Sequence, residues 1–299
     1  MGSSAISSIA TPAITKCDSC NLSNEHELYD WELVDPDILE TALHFNKELQ
    51  SWKNNPKELK KKIFSINKGY ITLRLDEMKN PSSIDNIRSL FKRALQKCDP
   101  TFIIEAYTTS QAFSKLLNID MARIVTHDIK NGGSKFSCDI LYTTQDGTKS
   151  IASILHHHRD WPEYSGKVYR GIVLPNELAH IQVGCCIMTN TFLSTSKNSD
   201  IADNYSGRDQ YNQTSCQEDE KNVSIYCTYI IKNTAGNRRA LDISKISKYS
   251  REEEVLLLPY SVFLITKRKT IERTNSTVKR IEIELEEYDE RTISSTNAN

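Results

Sequence analysis

Apolar residues recur at helical spacing through the first half of the chain. Ile38, Leu39, Leu43, Phe45 and Leu49 form one stripe after Pro36. Ile87, Leu90, Phe91 and Leu95 form a second, and Ile103, Ile104, Tyr107, Phe113, Leu116 and Leu117 a third. Pro56 opens a further helix, whose Lys60, Lys61 and Lys62 predict a solvated face rather than a ligand site. The pattern then changes. Val168–Leu174, Val223–Ile231, Glu254–Leu258, Val262–Thr266 and Ile281–Leu285 are short runs rich in β-branched or aromatic residues, as strands require. Helices first and strands afterwards, without βαβ alternation, predict an α+β fold rather than a doubly wound parallel sheet.

The ends and one internal stretch break the periodicity. Residues 1–24, rich in Ser, Thr, Ala and Asn, predict a flexible arm, and 289–299 a flexible tail. Between them, 25–84 form a helical extension and 85–288 the principal domain. Lys197–Lys221 is long and polar between strand-like segments, which suits either a functional loop or a disordered insertion.

Composition narrows the function. Lys plus Arg is 38 and Asp plus Glu 39, so the net charge of −1 supplies no global field toward DNA, RNA or an anionic membrane. None of the 10 glycines falls in a GxGxxG or GxxxxGK[ST] pattern, so a nucleotide must be held some other way. No stretch approaches the ~18 apolar residues of a membrane span. Met1–Ile14 lacks a signal-peptide pattern, Ile6 stands where myristoylation after Gly2 asks for Ser or Thr, and the tail from Ile293 to Asn299 is too polar for a lipid-anchor signal. An intracellular chain is expected on these grounds, or a secreted one if a leader has been removed. Eight cysteines are too dispersed for a disulfide scaffold. Cys17 and Cys20, near His26, have the spacing of half a zinc site without a second half, and no metal is expected. His156, His157 and His158 predict a solvated turn, because neighbours in a strand or turn point different ways.

Three segments carry candidate chemistry: Val168-Tyr169-Arg170-Gly171, Phe192-Leu193-Ser194-Thr195-Ser196 and Glu252-Glu253-Glu254-Val255-Leu256-Leu257-Leu258-Pro259. Strand alternation predicts that Glu252 and Glu254 share a face roughly 6 to 7 Å apart. The apolar run after Glu254 holds it at the mouth of a buried sheet. Like charges in a dry site raise at least one pKa unless a cation or hydroxyl compensates, and Arg170 and Ser194 are the candidate compensators.

In this order, an Arg, then Ser-Thr-Ser, then Glu-x-Glu, the chain resembles the arginine-specific mono-ADP-ribosyltransferases, which include vertebrate ecto-enzymes and the catalytic subunits of clostridial binary toxins. The resemblance spans roughly residues 85–288. It includes the helix starting Glu105-Ala106-Tyr107-Thr108, Ala202 and Tyr205, Ile243-Ser244 with Ile246-Ser247, and Pro259 with Phe263. It implies a helical N-terminal half on a mixed, mainly antiparallel sheet, with NAD, or the related NADP, as co-substrate and a protein with an exposed arginine as acceptor. Glu254 would stabilise the ribose as nicotinamide leaves, and Glu252 would orient the acceptor guanidinium. Arg170 would meet the pyrophosphate, Gly171 would let the backbone approach the nicotinamide amide, and Ser194 would hold Glu254. Thr195 and Ser196 would shape the pocket wall, Tyr205 would stack on nicotinamide and Arg208 would meet a phosphate. An NAD glycohydrolase, with water as acceptor, and a catalytically silent binding module on the same fold are the alternatives. A poly-ADP-ribose polymerase fits less well, since that branch uses His-Tyr-Glu.

Overall fold

The computed structural model describes residues 30–133, 139–158, 160–175, 182–206, 222–233, 238–271 and 280–288. Cys17, Cys20, His26 and Arg208 lie outside the described residues.

Three helices begin with the same two-residue signal. Asp35, Asn55 and Asn80 each accept a backbone N–H three residues on, from Ile38, Glu58 and Ser83, and each is followed by a proline in the first helical turn. The side-chain oxygen satisfies one free donor, and proline needs none there. These caps open α1 (Pro36–Gln50), α2 (Pro56–Ile66) and α4 (Pro81–Lys97). From α2 the chain runs on through a π-helical turn, Asn67–Ile71, into the short α3 (Thr72–Arg74). α5 (Thr101–Thr109) and α6 (Gln111–Asn131) follow, the latter capped by Ser110.

α7 (Asp139–His157) then packs across α2 and the π turn. Gly147 permits that approach, because a Cβ there would stand 2.8 Å from the Tyr70 Cβ. α7 also corrects the reading of the three histidines. His156 and His157 close a helix, and His156 is buried beside Arg238 and Arg239. Burial above all, with those two cations, holds its imidazole down to about 3.

Among the described residues nine strands form one sheet: β1 (Trp31–Val34), β2 (Gly166–Pro175), β3 (Cys186–Thr189), β4 (Leu193–Ser196), β5 (Asn222–Ile231), β6 (Ala240–Asp242), β7 (Glu254–Leu257), β8 (Val262–Ile271) and β9 (Arg280–Glu287). Their order is β1-β3-β8-β9-β5-β2-β4-β7-β6. β5 and β9 run parallel and the other neighbours antiparallel, so the sheet is mixed and mainly antiparallel, as expected. β1 falls in the segment predicted to be helical.

The order forces the sheet to roll. β3 and β4 stand five places apart in the sheet, yet only Asn190–Phe192 join them; β7 and β8 are equally far apart and joined by Leu258–Ser261. Five spacings of a flat sheet are about 24 Å, while such linkers reach only about 14 to 18 Å. Two sheet halves therefore face each other, and the linkers are tied together. The Thr189 hydroxyl donates to the Leu258 carbonyl at 2.7 Å and accepts the Ser261 N–H at 3.0 Å.

Two apolar layers result. Val168, Ile172, Val255, Leu257, Phe263, Ile283 and Leu285 pack between the sheet halves. Leu256, Leu258, Tyr260 and Met188 join the helices in a second core. β7 therefore alternates between two apolar environments, which is why Val255 to Leu258 reads as an unbroken hydrophobic run.

Candidate functional site

β2 and β4 part almost as soon as they meet. They pair only through Tyr169 and Ser196, while β2 stays paired with β5 over its full length and β4 with β7. The split opens toward Arg170 on one side and Ser194 on the other. Arg170 has the strand parity of Val168 and Ile172 and so projects between the sheet halves. Its Nη1 donates to the Ser194 carbonyl at 2.7 Å, and its Nη2 to an Asp30 carboxylate oxygen at 2.5 Å. Burial works against the guanidinium charge, but the Asp30 carboxylate and its hydrogen bond more than offset it and hold Arg170 firmly protonated. Nε, buried, has no partner.

Asp30 was not anticipated. It lies 140 residues before Arg170, just ahead of β1, and reaches the site because the sheet rolls; its own carbonyl accepts the Asn190 N–H, tying it to the β3–β4 linker.

Across the split, Glu254 opens β7 with only 5 % of its surface exposed. Each carboxylate oxygen has its own hydroxyl: Ser194 donates to Oε1, and Ser247 to Oε2 at 2.8 Å. Burial pushes the carboxyl pKa up, the two hydroxyls pull it down, and Glu252 adds a smaller upward push; burial prevails. Behind this pair, α5 props the linker and the loop ahead of the acidic segment. The Tyr107 hydroxyl and Asn118 amide donate to the Phe192 carbonyl, and Thr108 accepts the Lys248 N–H.

The rest of Ser-Thr-Ser is turned inward. Thr195 donates to the Val255 carbonyl and Ser196 to the Glu252 carbonyl, each at 2.6 Å, and both residues are buried. These hydroxyls tie β4 to β7 and to the turn before it, within one wall of the split.

Glu252 departs from the strand expectation. Ser250–Glu252 form a 3-10 turn, and Glu253 turns left-handed at φ 45° before β7 begins. The backbone reverses between the two acids, so pleat alternation does not relate them. Glu252 still lies near enough to raise the Glu254 pKa, and its carboxylate accepts the Tyr205 hydroxyl at 3.3 Å. Tyr205, on α8 (Ser199–Tyr205), and Tyr249, ahead of the turn, are both more than half exposed. Sequence reasoning passed over Tyr249.

Gly171 has a second reason to be glycine. A Cβ there would come within 2.1 Å of the Ala202 carbonyl oxygen and 2.4 Å of the Ser206 nitrogen. Its missing side chain lets α8 seat directly on β2, on the face opposite Arg170. A separate cavity of about 570 Å³, bordered by Pro100, Trp161, Asp242 and Lys245, contains none of the predicted site residues. Among the described residues no group of His, Cys, Asp and Glu is arranged to hold a metal, and no helix is long and apolar enough to cross a membrane.

No family model and no curated protein matches the chain. Solved structures similar to it include the ADP-ribosyltransferase Vis from Vibrio splendidus in complex with agmatine, at 15 % identity over 87 % of this chain and 88 % of that one, TM-score 0.37. The type III effector XopAI from Xanthomonas axonopodis pv. citri aligns at 11 % identity over 86 % and 95 %, TM-score 0.45. Exoenzyme S from Pseudomonas aeruginosa, in complex with human 14-3-3 protein beta and bound to carba-NAD, aligns at 14 % over 82 % and 98 %, TM-score 0.40. At such distances the chemistry of the site rests on this chain's own residues.

Proposed function

We propose that the chain is a mono-ADP-ribosyltransferase that cleaves NAD at the nicotinamide glycosidic bond and transfers ADP-ribose to protein arginine. The observation that carries this reading is the pairing of a buried carboxylate, Glu254, held on both oxygens by Ser194 and Ser247, with Arg170 across the β2–β4 split.

The barrier to the reaction is one of charge. As the C1′–N bond breaks, its electron pair leaves with neutral nicotinamide and the ribose becomes oxocarbenium-like. A fixed carboxylate against the ribose hydroxyls opposes that charge without having to reorganise. Glu254 suits the role because its hydroxyl partners immobilise it. An acceptor guanidinium is a cation and a poor nucleophile; it must be oriented and must lose a proton as its nitrogen bonds to C1′. Glu252 supplies a carboxylate for that proton, and the exposed Tyr205 and Tyr249 rings offer faces on which a guanidinium is attracted. Arg170, with Nη1 and Nη2 already engaged, serves first to brace the split, and its fixed positive charge favours a pyrophosphate alongside.

Labelled NAD incubated with and without agmatine tests the reading. Nicotinamide release together with an ADP-ribosyl-agmatine adduct supports it. Free ADP-ribose alone identifies a glycohydrolase, and no turnover by folded protein identifies a silent module.

A further inference from the structure

The near-neutral total hides a segregation of charge. Residues 53–97 carry twelve Lys and Arg against four Asp and Glu, while the whole chain sums to −1. The fold gathers much of that excess on one face. At about 100° per residue, Lys57, Lys60, Lys61, Phe64 and Lys68 fall within roughly a third of the helix circumference, away from the buried Leu59, Ile63 and Ile66. All five are exposed, Phe64 by 56 %. α4 lies alongside: Cys98 at its end contacts the Pro56 carbonyl, and Asn67 donates to the Phe91 carbonyl, which brings the exposed Lys92 to the border of the stripe.

We propose that this face docks the protein on an anionic lipid surface, with the lysines at the headgroups and Phe64 in the interface. Compact ammonium groups on flexible stems suit a dense, flat array of negative charge, whereas forked recognition of single phosphates favours arginine. A half-exposed phenylalanine gains nothing from a phosphate backbone. It does gain where an apolar phase lies just beneath the charges, and this distinguishes a bilayer from a nucleic acid.

Flotation of the full chain with phosphatidylcholine vesicles, and with vesicles containing about 30 % phosphatidylserine, tests the proposal. Partition onto the anionic vesicles is expected to be at least about tenfold stronger and to collapse toward about 0.5 M salt. Lys60→Glu with Lys61→Glu should weaken it by about 25-fold or more, at about fivefold per lysine lost. Phe64→Ser should weaken it severalfold while the salt dependence persists. Unchanged thermal melting verifies that these exposed substitutions leave the fold intact. Equal partition onto both vesicles, or wild-type partition by either variant, overturns the proposal. A duplex RNA probe bound more tightly than the anionic vesicles, with no effect of Phe64→Ser, assigns the face to nucleic acid and overturns it as well.

Discussion

Glu252 and Glu254 are the same residue type two positions apart, and the fold treats them oppositely. Glu254 begins a strand packed between two apolar layers and has both oxygens engaged by serines; the half-buried Glu252 ends a turn with its carboxylate accepting the hydroxyl of the exposed Tyr205. The left-handed Glu253 separates them. On the proposed function, the step that needs a fixed countercharge and the step that must admit a large, variable acceptor fall to a rigid strand and an open turn.

The sharpest way to break that comparison is to neutralise each acid in turn. Glu254→Gln should lower nicotinamide release by about a thousandfold, with or without agmatine. Glu252→Gln should lower adduct formation by about a hundredfold while much of the hydrolysis persists. Equal loss of both activities in the two variants would show that the acids do not divide the work.

Asp30→Asn tests whether the rigid side depends on a residue so distant in sequence. Without its partner, Arg170 stays largely buried and charged, so activity should fall by about tenfold and stability by about 1 to 2 kcal/mol, the half-open pair being worth less than a fully buried one. Wild-type melting and turnover would make the ion pair incidental.

The smallest effect expected is on pH dependence. Glu254 acts as its anion and its pKa is raised by burial, so hydrolysis should rise with pH through a limb higher than that of an ordinary glutamate. Glu252→Gln removes an upward push and should move the limb down; Ser247→Ala removes a donor to the anion and should move it up. Folding responds with the opposite sign. A raised pKa in the folded state means that stability present in acid is lost as Glu254 ionises, so Glu254→Gln should melt above wild type near neutrality and converge with it at low pH. An unshifted limb in both variants would mean that another group controls it.

The periodic parts of the fold were legible in the sequence. Apolar stripes marked α1 and α4 and Pro56 marked α2, and the β-rich runs found β2, β5, β7 and β9 near their observed limits, while β8 runs on to Ile271, five residues past its run. Arg170, Ser194 and Glu254 were named as one candidate site, and in the fold Arg170 donates to the Ser194 carbonyl and Ser194 to the Glu254 carboxylate. β1 is too short to show an alternation, and it forms because β3 offers an edge. α7 carries Gly147 and a polar histidine end, both poor advertisements for a buried helix. The strand pairing assigned to Glu252 failed because alternation was extended through a residue that turns left-handed.

Local patterning, then, was enough to mark several of the helices and the longer strands and to single out Arg170, Ser194 and Glu254 as candidates, because periodicity and short motifs depend on neighbours a few residues away. Only the tertiary structure decided that Asp30 braces Arg170, that Ser247 shares Glu254, and that Gly171 seats α8. The first of these depends on the sheet rolling over linkers of three and four residues, which brings together atoms that no local pattern relates.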